Sequence, residues 1–183
     1  MNPNTMNLYS GLCVDPTEMT PEDVRLVDIA HPLSLLCRGT GQVRFFFSVG
    51  QHSINCALEA EARGLPRDIQ LAALLHDAGE AYTSDVIRPV KRHLQGYTPI
   101  EKGIQRAILE KFGVLHVLEG DGWQEVRSID DGMLIHEANV LFTDASGFVP
   151  AHLAREPVIA PAPFLEVETR FTQMVNQLAK EKE

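Results

Sequence analysis

The sequence has little positive charge and no basic tract. It contains 16 Lys and Arg residues against 25 Asp and Glu residues, which gives a net charge of −9 over 183 residues. Because a surface of this sign repels a phosphate backbone, we expect no nucleic-acid partner. A local basic pocket for the phosphates of a small molecule is still compatible with this composition.

Cysteines are few, and long apolar runs are missing. Cys13, Cys37 and Cys56 are an odd number, are widely spaced and form no CxxC pair. They predict reduced thiols rather than a disulfide framework, and they argue against a zinc site of the finger type. No apolar stretch approaches the ~18 residues that span a bilayer, and the first residues lack the pattern of a signal peptide. We therefore expect a cytoplasmic protein without membrane contact.

Internal repeats, low-complexity tracts and linker-like breaks are also absent from the sequence. The 44% apolar and 22% charged residues are typical of a soluble globular protein, and the chain is long enough to bury a core. We therefore expect a single domain over residues 1–183.

Apolar residues recur mostly at helical spacing, which predicts an all-α fold behind an irregular N-terminal segment. The expected helices are one or two short ones over 24–36, broken near Pro32, and then 48–63, 66–82, 98–112, 126–142 and 164–179. Thr98 and Glu101 have the spacing of a capping box at the start of one of them.

Three segments are less regular in pattern. Residues 7–14 could form a short extended segment, and residues 150–163 contain four prolines and predict an irregular chain. Residues 43–49 include three consecutive phenylalanines and fit a strand or a buried helix equally well.

One stretch combines an apolar run with groups that bind metals or move protons. Leu71 to Leu75 is apolar, and it is followed by His76, Asp77 and Glu80. At 3.6 residues per turn these three side chains would project from neighbouring parts of one helix face. Because a buried carboxylate and imidazole are costly unless they are paired or bound to a metal, this conflict marks a candidate site.

His52 and Asp130 extend the candidate site to two further helices. His52 opens a predicted helix, and Asp130 follows an apolar residue in a later one. Alone, each has an ordinary alternative, a helix-end histidine and a solvated carboxylate. Together with His76 and Asp77 they form a donor set that suits Zn²⁺, Mn²⁺, Co²⁺ or Ni²⁺. Glu80, one turn from His76, could hold or take a proton from a water on such an ion.

These residues resemble the HD-domain metal-dependent phosphohydrolases, whose pattern is a His, an adjacent His-Asp pair and a later Asp. The resemblance is closest to the 5′-deoxynucleotidases and the small phage-type dNTP triphosphohydrolases. It extends over about residues 7–145 and includes the segments 28–34, 37–38, 44–53, 76–85, 89–91 and 130–138. It implies an HD-domain helical bundle.

The resemblance also implies roles for individual residues. The metal would be held by His52, His76, Asp77 and Asp130, with Asp130 preferred over Asp131 because it keeps the family's spacing to Glu137. Since the chain has a single HD pair, one divalent transition metal is expected, and Mg²⁺ could accompany the substrate phosphates.

The remaining roles concern catalysis and the substrate. Glu80 would be the acid/base group, and Asp85 would contact the water or the sugar, unless it caps the next helix. Lys91, Arg38 and Arg44 would bind phosphate, although each could instead be a surface or ion-paired residue. His31 could contact the base or be a satisfied core histidine.

The expected function is hydrolysis of a phosphate ester of a deoxynucleotide. The products would be a nucleoside and triphosphate from a dNTP, or a nucleoside and phosphate from a dNMP. Two alternatives remain at this stage: an HD phosphodiesterase or pyrophosphohydrolase for cyclic or alarmone nucleotides, and a non-catalytic nucleotide-binding HD protein. The relatives form homo-oligomers, and the apolar C-terminal helix offers an interface for this.

Overall fold

The computed structural model describes residues 4–149 and 152–179, and in this part of the chain the fold is mostly helical. The all-α prediction is therefore confirmed. The helices are α1 (Val27–Leu35), α2 (Val49–Ala62), α3 (Arg67–Leu75), α4 (Glu80–Thr83), α5 (Arg88–Lys91), α6 (Tyr97–Lys111), α7 (Leu115–Glu119), α8 (Gly122–Leu141) and α9 (Phe164–Ala179). The extended N-terminal segment forms a small antiparallel hairpin of β1 (Met6–Asn7) and β2 (Cys13–Val14).

Helices α2 and α3 form the centre of the fold. The apolar run of α3, from Leu71 to Leu75, is at most 1% exposed, and α1, α8 and α9 pack around the pair. Gly50 allows this close packing, because a Cβ there would lie 3.1 Å from the carbonyl oxygen of Leu33 on α1 and 3.0 Å from Val167 on α9. The start of α2, which carries His52, is therefore held tightly against two neighbouring helices.

A row of buried polar side chains on α2 holds the proline-rich segment that precedes α9. Gln51 Nε2 donates to the carbonyl of Ala160, and Asn55 Nδ2 donates to the carbonyl of Val158. Glu59, one further turn along, accepts from the backbone N–H groups of residues 154 and 155. The segment is irregular, as predicted, and it satisfies its backbone groups through α2 instead of a helix of its own. Residues 150 and 151 lie outside the described part.

The predicted helix through the His-Asp pair is interrupted, which corrects the expectation of one continuous helix to residue 82. Helix α3 ends at Leu75, and a turn precedes α4. His76 Nδ1 donates to the carbonyl of Ala73, and Gln105 Nε2 donates to the carbonyl of Leu75. Since a continuing helix would use these two carbonyls, side chains replace its backbone bonds. The amide of Ala78 bonds the carbonyl of Leu75 at i−3 instead.

Two local predictions are wrong, and the helix that the sequence predicts to break near Pro32 is continuous. Helix α6 begins at Tyr97 without a side-chain cap, so Thr98 and Glu101 form no capping box; a capping box is present at Ser48 of α2 instead. Residues 43–48 form no strand or helix, only a bridge between Cys37 and Ser48. Helix α1 includes Pro32.

The apolar face of α9 is covered by the chain itself. Val167, Phe171 and Val175 are at most 5% exposed, and α9 packs against α1, α2 and α3. This face is therefore not open as the interface that the sequence suggests, and the homo-oligomer itself stays an untested prediction. Among the helices formed by residues 4–149 and 152–179, none combines the length and apolar character that crossing a bilayer needs.

We expect Glu59→Gln to lower the free energy of unfolding by about 1–3 kcal/mol at pH 7, because the variant retains one of two acceptor oxygens. Burial alone would raise the pKa of Glu59, but the N–H groups of Ala154, Arg155 and Arg63 lower it below 4.5. The stabilisation is thus present above that pH and lost as the pH falls below it. Urea unfolding at about pH 7 and about pH 3 measures the difference.

The control is Glu110→Gln, which neutralises an exposed carboxylate of α6. It should change the free energy of unfolding by less than about 0.5 kcal/mol. A loss in Glu59→Gln that is equal at both pH values would contradict the assignment of the stabilisation to the ionised carboxylate.

Candidate metal centre

Four donor atoms from three parts of the chain converge between α2, the end of α3 and α8. His52 Nε2 lies 3.2 Å from His76 Nε2, 3.2 Å from Asp130 Oδ1 and 3.7 Å from Asp77 Oδ2. His76 Nε2 lies 3.3 Å from Asp77 Oδ2 and 3.7 Å from Asp130 Oδ1. The structure therefore brings the four sequence-predicted donors together.

These separations fit the donors around a single cation. For metal–ligand bonds of ~2.1 Å, neighbouring donors are about 3.0 Å apart in an octahedron and about 3.4 Å apart in a tetrahedron. Cys56, one turn after His52 on α2, adds a buried thiol whose Sγ is 3.6 Å from His52 Nε2. His52, Cys56 and His76 form a group that could hold a metal ion. The carboxylates of Asp77 and Asp130 supply the negative charge that a divalent ion needs.

Each histidine is oriented by the nitrogen that faces away from the cluster. His52 Nδ1 is 2.8 Å from Glu137 Oε1, and His76 Nδ1 is 2.8 Å from the carbonyl oxygen of Ala73. Because a carbonyl or carboxylate oxygen accepts, both Nδ1 atoms donate. Each Nε2 atom then faces the cluster, and its lone pair becomes available to a metal once Nε2 has lost its proton.

The charges of the cluster also favour a cation. Burial would raise the pKa of Asp130, but hydrogen bonds from His52 and His76 hold it below its ordinary value of 3.8. Burial would lower the pKa of His76, but Asp77 and Asp130 raise it above 6.5. The two carboxylates thus draw positive charge to the place where the imidazole nitrogens meet them.

Asp130 and its neighbour Asp131 have different surroundings. Asp130 Oδ1 faces the cluster, and its Oδ2 accepts from Arg88 Nη2 at 2.9 Å. The side chain of Asp131 is 59% exposed and accepts from Nη1 of the same arginine. The geometry therefore places Asp130, not Asp131, among the donors.

Glu80 has a buried oxygen without a partner. Its side chain is 7% exposed, and within the described residues Oε2 makes no hydrogen bond. Burial, followed by the charges of Asp77 and Asp85, raises the pKa of Glu80 well above 4.5. A carboxyl group with a raised pKa and an unpartnered oxygen is suited to general acid chemistry.

Two cavities meet at Asp77 and Glu80. The first, which we call the α5–α8 cavity, has a volume of about 470 Å³ and extends along α5 and α8. The second, which we call the α6 cavity, has a volume of about 450 Å³ and extends along α6 to Trp123. Both volumes are within the ~300–1,000 Å³ of small-molecule sites.

Asp85 and Lys91 line the α5–α8 cavity. Asp85 Oδ2 accepts from the backbone N–H of Gly39 at 2.8 Å, so it fixes the turn opposite α5 and does not cap that helix. Lys91 forms an ion pair with Glu101, and its ammonium lies 5.5 Å from the ring centre of Tyr97.

Arg38 is largely buried, and Arg44 lies elsewhere. Arg38 bridges two carboxylates, with Nη1 3.2 Å from Asp77 Oδ2 and Nε 3.4 Å from Glu137 Oε2. Arg44 is exposed and donates to the carbonyl of Thr143, and it lines neither cavity. The structure therefore does not bring Arg44 to the donor cluster.

His31 makes its contacts near the N-terminus and α9. Its ring stacks on Tyr9 with centres 3.7 Å apart, and Nδ1 is 2.9 Å from Glu168 Oε2. It is a histidine satisfied by its neighbours.

Sequence reasoning assigned no role to three groups of the site. Cys56 lies four residues after His52, a helical spacing that could have found it. Glu137 lies seven residues, or two turns, after Asp130, but nothing in the pattern says that it contacts His52. Arg88 gave no signal beyond its charge, because its contact with Asp130 depends on how α5 folds against α8.

Glu137→Gln should weaken the binding of Co²⁺ by about 10- to 100-fold, because the outer partner of His52 then no longer accepts through a charged oxygen. Calorimetric titration of the metal-depleted protein at constant pH measures this. The control, Glu168→Gln, alters the comparable contact with His31 outside the cluster and should leave the affinity unchanged. Equal affinities in wild type and Glu137→Gln would contradict a role for Glu137 in orienting a ligand.

No model of a known protein family matches the chain. The uncharacterized protein YfdR of Escherichia coli strain K12 is 35% identical over 142 residues, which cover 78% of this chain and 75% of YfdR. An uncharacterized protein of Rhodobacter capsulatus is 34% identical over 128 residues, which cover 67% of this chain and 65% of that protein. Given the identity with YfdR and the length over which it extends, this chain belongs to the same protein family as YfdR of Escherichia coli.

Proposed function

We propose that this protein is a metal-dependent phosphohydrolase of the HD class that cleaves the phosphate ester of a deoxynucleotide. The observation that carries the proposal is the position of Glu80. Glu80 lines both cavities beside the donor residue Asp77. Its buried Oε2 has no hydrogen-bond partner within the described residues. An ordinary buried ion-pair network would not need such a carboxyl group.

His52, His76, Asp77 and Asp130 would hold one divalent transition metal, with Cys56 as an additional neighbouring donor. Zn²⁺, Mn²⁺, Co²⁺ and Ni²⁺ all suit imidazole and carboxylate ligands. When bound, the ion supplies a water of lowered pKa and polarises a phosphoryl oxygen.

Glu80 moves the proton in the reaction that we propose. The oxygen of water forms a bond to phosphorus while the bond from phosphorus to the 5′ oxygen breaks. A proton reaches the leaving 5′ oxygen from the carboxyl group of Glu80, and the proton released by water restores that group. The products are a nucleoside and the phosphate part of the substrate.

The α5–α8 cavity has the surroundings that a nucleoside needs. Val43, Leu134, Phe142 and Phe148 give it apolar walls, and the rings of the two phenylalanines lie 5.7 Å apart, edge to face. The carboxylate of Asp85 faces the same space and can accept from a sugar hydroxyl. Base and sugar would then lie on one side of Glu80.

The main role of Arg38 is to hold the carboxylates of Asp77 and Glu137 in place, and phosphate binding is its secondary role. Burial would lower its pKa, but the charges of Glu137 and Asp77 raise it. It thus stays charged while it joins two carboxylates, and it can still direct a free N–H group at a phosphoryl oxygen. Lys91 contributes a second cation at the cavity wall.

We place this reaction in the cytoplasm.

The experiment is a nucleotide panel of dAMP, dATP, dGTP, ppGpp and a cyclic nucleotide, incubated with Mn²⁺ or Co²⁺ and separated by chromatography. Release of a deoxynucleoside from dAMP, dATP or dGTP is expected. Cleavage of ppGpp or the cyclic nucleotide alone would overturn the deoxynucleotide assignment. Binding of nucleotides without any cleavage would identify a non-catalytic binding protein.

Glu80→Gln should lower kcat about 10²- to 10⁴-fold, because the variant cannot donate or accept the proton. The affinity for Co²⁺ should stay near that of the wild type, since Glu80 is not one of the four donors. The matched control, Glu125→Gln, changes an exposed glutamate in the first turn of α8 and should retain full activity. A Glu80→Gln variant with wild-type kcat would exclude the proposed role.

A further inference from the structure

The α6 cavity and the α5–α8 cavity have different lining residues apart from two that they share, and the reaction proposed above leaves the α6 cavity without an occupant. Asp77 and Glu80 line both cavities. A substrate with its reacting phosphorus at this shared wall can therefore extend in two directions. One direction leads to the apolar walls along α8, and the other leads along α6.

The positively charged side chains of the two cavities differ in how completely carboxylates of the chain pair with them. In the α5–α8 cavity, Arg38 pairs with Asp77 and Glu137, Arg88 pairs with Asp130 and Asp131, and Lys91 pairs with Glu101. Each of its positive charges is thus already matched by a carboxylate of the chain. That cavity offers little uncompensated charge to a long phosphate chain.

In the α6 cavity, two cations are less constrained. Lys102 and Arg106 are four residues apart and lie on the same side of α6. Among the described residues, no carboxylate forms an ion pair with Lys102. Arg106 pairs with Glu119, but both side chains are more than half exposed, so solvent weakens this contact and an anion can replace it. Arg88 has an equally exposed pair with Asp131, but it is also held at 2.9 Å by the largely buried Asp130.

Two of the three acidic groups that line the α6 cavity are already paired. Glu101 is held by Lys91, and Asp77 is held by Arg38 and the imidazole groups. The third, Glu80, is buried, and burial raises its pKa, which disfavours its charged form. The charge left for a ligand in this cavity is therefore that of Lys102 and Arg106.

We propose that the α6 cavity binds the phosphate groups of a nucleoside triphosphate that lie beyond the phosphorus under attack. This inference rests on the proposed function and makes it more specific, because a dNTP would fill both cavities and a dNMP only one. Trp123 is among the residues that line this cavity. The products would be a deoxynucleoside and inorganic triphosphate, with both ends of the substrate recognised.

The test compares wild type with the double variant Lys102→Gln/Arg106→Gln. The first readout is calorimetric binding of tripolyphosphate with excess Mg²⁺, which involves no turnover. Each cation that contacts phosphate contributes about a tenfold change in affinity, and we expect binding at least about tenfold weaker in the double variant. The second readout is the ratio of kcat/KM for dATP to that for dAMP, which should fall by about the same factor.

The control is Lys111→Gln/Arg127→Gln, which removes the same charge from exposed positions of α6 and α8 outside both cavities. It should leave both readouts within about twofold of wild type. An equal loss in this control would assign the effect to net charge and overturn the inference. Circular dichroism and a thermal unfolding curve establish that both double variants fold.

Failure of the proposed function and failure of the inference about the α6 cavity give different results. If wild type hydrolyses no nucleotide, the proposed function fails, and tripolyphosphate binding still decides whether the α6 cavity is an anion site. If wild type hydrolyses deoxynucleotides but the dATP to dAMP ratio and tripolyphosphate binding are unchanged in Lys102→Gln/Arg106→Gln, only the present inference fails. A wild type that prefers dAMP to dATP also overturns it.

Discussion

Two carboxylates and two imidazoles lie together in a buried space, where the carboxylates need positive charge close by. Much of this fold holds these four groups in place. Asp77 and Asp130 lie within 3.2–3.7 Å of the histidine nitrogens, and taking such charges from water is costly unless a cation or protons compensate them. Close packing of α2 on α3, α1 and α9 prevents the groups from moving apart. The cluster is therefore stable only with positive charge at its centre.

The residues around these four groups fix their orientation. Glu137 fixes the ring of His52, and the carbonyl of Ala73 fixes the ring of His76. That contact and the hydrogen bond from Gln105 to the carbonyl of Leu75 together end α3, so the interruption of the helix also orients the ring of His76. The turn that follows carries Asp77 into the centre and leaves Glu80 at the junction of two cavities, where its buried oxygen lacks a protein partner.

The sequence predicted the longer helices and indicated four candidate donors, because these depend on local patterns and on residue chemistry. The short helices α4, α5 and α7 were not predicted. Apolar periodicity predicted a helix that starts at residue 164, which is where α9 begins in the structure. The break after Leu75 could not be predicted, since it depends on Gln105 from a distant helix. The ion pairs of Arg38 and Lys91, and the displacement of Arg44 to a backbone carbonyl, likewise depend on tertiary contacts between segments far apart in the chain.

We propose that one divalent ion is held by nitrogen and oxygen donors from α2, the turn after α3, and α8. The most direct measurement is anomalous X-ray diffraction from crystals grown with Co²⁺. The account predicts one strong peak within ~2.0–2.2 Å of His52 Nε2, His76 Nε2 and one oxygen each of Asp77 and Asp130. A cluster without a peak, or an ion bound through Cys56 while both carboxylates stay beyond bonding distance, would contradict it.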